Sequence, residues 1–427
     1  MMGGIKTLQV APETAVPVQA PTAAGPEEPR AALHALICDA TVRIVREQFG
    51  DDLSSVILTG SLARDEATFE EQRECWAVLG DAEFMLIFKE GARLPNDAGV
   101  ARTCRLIEQA LANNTVQCAI GLGAVHPGYL RTLTPHIFAY ELRMCGRVCW
   151  GDDALLSLIP PCAPADLPRE DAWRLLCNRM IEQLDVVDEL VTRPARLSRR
   201  ASYRTVKLYL DMATSYLVFA GAYEPTYRGR AARLKTLARS VDESHDLPFP
   251  LREFAERVGR CTEMKLNGTA GASDAGMMFW EEAAGYARLL WRWELAQLTR
   301  TRVQLTNRVL MKRWMDEQPF SVRARGWLYV VRKLAWYRSL SQWPRWARSG
   351  WDASPRYRIY RAVGELYLRL SCLLKPAARR PQINVDWEAL RATLPVMTPH
   401  KADAPSWQRL AADILWNYHQ FLEGTRS

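Results

Sequence analysis

The sequence predicts an α+β chain: a mixed sheet with flanking helices, followed by a large all-helical C-terminal region. Three observations predict it. Apolar, β-type runs at Ser55–Thr59 and Phe84–Phe88 lie between residues 50 and 150, with helical patterns beside them. After Pro160-Pro161 the apolar residues recur at spacings of three and four, which marks amphipathic helices. The chain has 427 residues, more than one ordinary core holds, so two or three domains are expected.

The elements follow in order. Residues 1–30 are rich in Ala and Pro and lack a basic start followed by an apolar core, so they read as a disordered leader and not a secretory signal. Leu33, Ile37, Ile44 and Val45 space a helix over 31–49, and Asp51-Asp52 is a turn. Ser55-Val-Ile-Leu-Thr59 is a strand feeding a tight turn at Gly60-Ser61, and residues 62–74 read as a helix. The continuous apolar run Phe84–Phe88 is a strand covered on both faces. A helix over 97–112 and strands at Val116–Val125 and His136–Leu142 complete this part. Helical stripes then occupy 173–184, 201–222, 275–300, 324–340, 355–373 and 407–422, the fifth opened by Ser354-Pro355. The domain reading is 1–30, 31–160, 161–300 and 301–427.

Composition narrows the class. Hydrophobic residues make up 48% and charged ones 24%, values of a globular chain. The net charge of +8 favours an anionic partner. Residues 301–350 carry 11 Lys and Arg against 2 acids, which accounts for that charge. Their tryptophans, among them Trp314, Trp327, Trp336, Trp343 and Trp346, interleave with the cations. That pattern fits base stacking, an anionic membrane surface, or helices with Trp packed inward under Arg stems. The ten cysteines form no CxxC pair, so reduced cytoplasmic thiols are expected rather than zinc. No stretch is apolar enough to span a bilayer, which places the chain in the cytoplasm, at most peripheral to a membrane.

The chemistry-bearing residues are few. Asp81 and Glu83 stand two apart at the start of a buried strand, so their side chains point the same way. Paired carboxylates suit a hard cation such as Mg²⁺. Gly60-Ser61, a turn leading from strand to helix, brings backbone N–H groups and a hydroxyl toward a phosphate, with Arg64 one turn on. Glu141 is a lone charge in an apolar run, a candidate third metal ligand or proton acceptor.

This set resembles the DNA polymerase β-like nucleotidyltransferase superfamily. The matching text is Val56-Ile-Leu-Thr-Gly-Ser-Leu-Ala-Arg64 and Gly80-Asp-Ala-Glu-Phe-Met-Leu-Ile-Phe88. The Asp-x-Glu form with a later Glu is similar to the kanamycin-type, aminoglycoside-modifying members. The stretch between Ser61 and Asp81 is longer than in compact members. The resemblance implies that residues 31–160 are a catalytic domain carrying Mg²⁺ and ATP or another NTP. It implies Asp81, Glu83 and Glu141 as metal-binding and catalytic, and Gly60 and Ser61 as nucleotide-binding, with Arg64, by its position, the local candidate for a further nucleotide contact. It also implies a phosphate contact from Lys207 in the helical region. The partners would be an NTP and a hydroxyl-bearing acceptor.

Plainer readings stand beside these. Asp81 and Glu83 fit a solvated strand end, and Glu141 a partner for Arg143 or Arg147. Lys207 and Asp211 fit a surface pair four residues apart. Arg239 and His245 have the loose spacing of helical RNases. A second functional class is an inactive nucleotidyltransferase-like protein that binds a membrane surface or nucleic acid.

Overall fold

A thirteen-residue strand, Trp76–Phe88 (β3), organises the N-terminal part of the computed structural model. The structure describes residues 28–73, 75–192, 197–240, 247–269, 276–301, 305–334, 343–375, 383–399 and 405–422. Nearly all of the expected leader therefore lies outside the described residues. The Phe84–Phe88 run is buried on both faces of the sheet, as its unbroken apolar pattern predicts. β3 pairs with Thr68–Glu71 (β2), with Leu53–Thr59 (β1) and, in parallel, with Val116–Val125 (β4); Arg147–Trp150 (β5) lies beside β1. The β3-to-β4 crossover is the helix Asp97–Ala112 (α3), whose Ile107 and Leu111 are buried. α3 opens on Asn96, whose side chain accepts from the Gly99 N–H. The first helix, Glu28–Phe49 (α1), packs on α3 and buries Ile37, Ile44 and Val45.

The chain divides into two compact units. Unit 1 holds the chain up to Leu58, Phe69–His126 and Val148–Asp152. Unit 2 holds Thr59–Thr68, Pro127–Arg147 and everything from Asp153 onward. Two short N-terminal segments belong to the helical unit, and it runs on through residue 300.

Unit 2 is helical. Its core gathers Arg169–Gln183 (α6), Arg199–Phe219 (α8), Met277–Leu298 (α11), Pro355–Leu373 (α15) and Ser406–Phe421 (α17). Trp173 sits at its centre against Trp291, Trp314, Tyr357 and Tyr360. The five helical stripes that define these helices in the sequence match them closely, because each buries a continuous apolar face. The stripe at 324–340 corresponds to Phe320–Lys333, with residues 335–342 outside the described set. No helix among the described residues is long and apolar enough to cross a membrane.

Two expected elements differ. The helix expected over 62–74 is a single turn, Gly60–Ala63 (α2). Asp65 takes φ of 55°, Glu66 N–H bonds to Ser61 C=O and Asp65 N–H to Leu62 C=O, a Schellman closure that ends the turn. The chain then extends into β2. The strand expected at His136–Leu142 is the helix Ile137–Cys145 (α5). Its first N–H donates to the buried Asp171 carboxylate of α6 at 2.9 Å, so a tertiary cap overrides a β-prone stretch.

Candidate functional site

The sequence-predicted residues fall into two groups, one in each unit. In unit 1, Asp81 and Glu83 lie on one face of β3, where the strand enters the sheet. A bulge sets that face. Ala77 pairs with Gln117 and Asp81 with Ala119, so β3 carries two more residues than β4 across this stretch. Gly80 closes the bulge with φ of 127°, a backbone that a side chain would strain, directly before Asp81. Asp81 is exposed and Glu83 half-buried, whereas Ala82 and Phe84 on the opposite face are fully buried.

β4 keeps this face low. Its residues opposite Asp81 and Glu83 are Ala119 and Gly121. A Cβ built on Gly121 would lie 3.7 Å from Glu83 Cγ and 3.9 Å from Asp81 Oδ2. Both carboxylates thus lean over a glycine that leaves their side of the strand uncrowded. β4 itself adds no acid to this face. Among the described residues no group of three or more His, Cys, Asp and Glu side chains is placed to hold a metal ion. The Asp81 and Glu83 pair nevertheless fits Mg²⁺, which binds through one or two carboxylates and completes its shell with water and phosphate oxygens.

In unit 2, Gly60 takes φ of 73° at the step from β1 into α2, so glycine is required there. Ser61 follows in the single helical turn. Arg64 donates to Glu141 at 2.7 Å and lies 3.7 Å from Glu66. Glu141 also accepts from Tyr223 and Arg230. Burial alone would raise the Glu141 carboxyl pKa, but Arg64, Arg230 and Tyr223 hold it below the ordinary value. For Arg64, burial is outweighed by Glu141, Tyr227, Tyr223 and Glu66, and its guanidinium is held more firmly charged. Glu141 is thus on a helix and enclosed by two arginines and a phenol. This arrangement anchors the residue and does not offer its oxygens to a cation.

The rest of the cluster gives no sign in the sequence. Glu66, buried, accepts from the N–H groups of Tyr227 and Arg228 at 2.7 and 2.9 Å and so caps the helix Tyr227–Ser240 (α9). Residues 223–226 form a loop that leads straight into this helix. Arg230 donates to Thr214 at 2.8 Å and to the Glu224 carbonyl. Lys265, on Leu251–Leu266 (α10), is buried with its ammonium 3.1 Å from the Thr68 hydroxyl. Burial, then Lys207 and Arg64, pull its pKa down to about 7. Lys207 lies 6.0 Å from the Tyr203 ring, and Lys265 5.7 Å from the same ring. Asp211, expected opposite Lys207, accepts from Arg179 at 2.5 Å. Arg230 and Lys265 stand in helices whose sequences look like ordinary solvated faces, so no pattern marks them.

Of the tryptophans in the basic region, Trp314, Trp327 and Trp346 are buried, the last two donating to the carbonyls of Ala353 and Pro395. They are packed inward and do not present their rings for stacking. Trp336 and the side chain of Trp343 lie outside the described residues, as does His245, the partner expected for Arg239. All ten cysteines are free. A scan against family models finds no match for this chain, and no characterised protein sequence matches it either.

Proposed function

We propose that the chain is a Mg²⁺-dependent nucleotidyltransferase that moves a nucleoside monophosphate from ATP or another NTP to a hydroxyl of an acceptor. The observation that carries this reading is the Asp81 and Glu83 pair, aligned on one strand face beside Gly121. Asp81 and Glu83 hold the metal, which when bound neutralises phosphate charge. Gly60, Ser61 and Lys207 belong to unit 2, and the reading rests on the unit 1 carboxylates alone. Glu141 and Arg64 keep a different role from the one the resemblance implies. They lock the start of unit 2 together, and the reading uses two metal carboxylates rather than three.

The absence of an acid from the β4 face favours one alternative, an inactive protein of the same fold that binds a membrane surface or nucleic acid. Two measurements separate the readings. Calorimetric titration of ATP with Mg²⁺ should show binding that Asp81→Asn weakens strongly. Labelled NTPs incubated with cell extract should transfer label with the wild type and not with Asp81→Asn, while the melting temperature stays nearly unchanged because Asp81 is exposed. No binding of ATP with Mg²⁺, and no transfer, supports the alternative. Transfer that survives Asp81→Asn removes the proposed site.

A further inference from the structure

Unit 2 holds a cavity of about 710 Å³ between α11, α15, Asn307–Glu317 (α12) and Trp387–Arg391 (α16), which the proposed nucleotidyl transfer does not use. Four arginines line it: Arg292 from α11, Arg308 from α12, and Arg361 and Arg369 from α15. Two acids share the wall, and both are already engaged. Glu365 accepts from Arg369 at 2.6 Å, and Asp386 accepts from the Ala389 N–H at 2.9 Å, capping α16. Arg308 and Arg361 have no acid within ion-pair distance among the described residues.

Arg361 is the telling residue. Its Nε is buried and lacks a hydrogen-bond partner. Burial and the neighbouring Arg308 disfavour its charge, and Glu365 recovers only part of this. A guanidinium in such a place is costly unless an anion completes it. The buried Asn307 Oδ1 likewise has no partner. Val385 and Leu390 supply an apolar wall. The volume lies in the range of small-molecule sites.

We propose that this cavity binds a phosphorylated small organic molecule. Arg361 and Arg308 grip its phosphate, the guanidinium fork matching phosphate oxygens in pairs. The Asn307 amide meets a polar group of the organic part, and Val385 and Leu390 cover its apolar face. The site lies wholly in unit 2 and does not depend on the nucleotidyltransferase reading.

The test is calorimetric titration of the full chain with ribose 5-phosphate and, separately, inorganic phosphate, in EDTA at fixed ionic strength. Ribose 5-phosphate should bind more tightly than inorganic phosphate. Arg361→Gln and Arg308→Gln should each weaken it by roughly tenfold, in line with a lost charge-assisted pair. Arg308 is exposed, so its variant should fold even if Arg361→Gln does not. Asp81→Asn should bind ribose 5-phosphate as the wild type does, which separates this cavity from the metal pair. Equal affinity for both phosphates, or unchanged affinity in Arg308→Gln, would overturn the proposal. So would an absence of binding by the wild type.

Discussion

Glu294 shows what a single buried acid does to this chain. It is fully buried on α11, and burial pushes its pKa well above the ordinary 4.5, which the Ser215 hydroxyl offsets only in part. Below the ordinary value both the folded and unfolded forms hold the proton. As pH rises above it, the unfolded chain ionises while the folded one does not, so stability falls with pH until the folded carboxyl also ionises. Glu294→Gln should remove this slope. Its denaturation midpoint should stay near that of the wild type at pH 4 and rise above it at pH 8, and equal midpoints at both would show that Glu294 ionises normally. Other single residues differ in how plainly the sequence announces them. Asp81 and Glu83 are legible because a strand alternates faces, so two acids one residue apart at the head of an apolar run must share one face. Glu141 is visible as an anomaly, but its setting is not. A lone acid in an apolar run has the same appearance whether it awaits a cation or sits between two arginines that are distant in sequence.

At the scale of elements, long apolar periodicities are readable and short segments are not. The α6, α8, α11, α15 and α17 helices each bury a wide stripe, which sets their period. α5 and α9 form for reasons outside themselves, through Asp171 at one N-terminus and Glu66 at the other. Because Glu66 is buried and serves both Arg64 and the start of α9, its removal leaves Arg64 with Glu141 alone and two N–H groups short of a partner. Glu66→Ala should destabilise unit 2 by about 3 kcal/mol. Hydrogen exchange should show the loss first in the opening turn of α9. Unchanged protection there would mean that the helix does not rely on this carboxylate.

At the scale of the whole molecule, the class is legible and the ties that gather unit 2 are not. Residues 59–68 and 127–147 join unit 2 through bonds such as Arg64–Glu141 and Thr68–Lys265, between positions 77 and 197 residues apart, which no local pattern reports. The cysteines offer a way to watch each unit separately. Cys118 is buried in unit 1, and Cys177 and Cys261 in unit 2. Burial pushes the thiols of Cys118 and Cys261 up to about 12 and raises that of Cys177 well above its ordinary value. Native-state alkylation followed by mass spectrometry should spare these three while more exposed cysteines react. On adding denaturant, Cys177 and Cys261 should become reactive together. Early labelling of one alone would contradict a single core in unit 2.

The paired surplus of residues in β3 before Asp81 also constrains how this region can vary. Two extra positions return the strand to its starting side, so the carboxylates keep their heading although the ladder has slipped. A single residue lost or gained between Val78 and Gly80 has either to be taken up within this bulge or to turn Asp81 and Glu83 into the packed interior and swing Ala82 and Phe84 outward. Even steps escape that choice, because they restore the alternation whatever side chains fill the stretch.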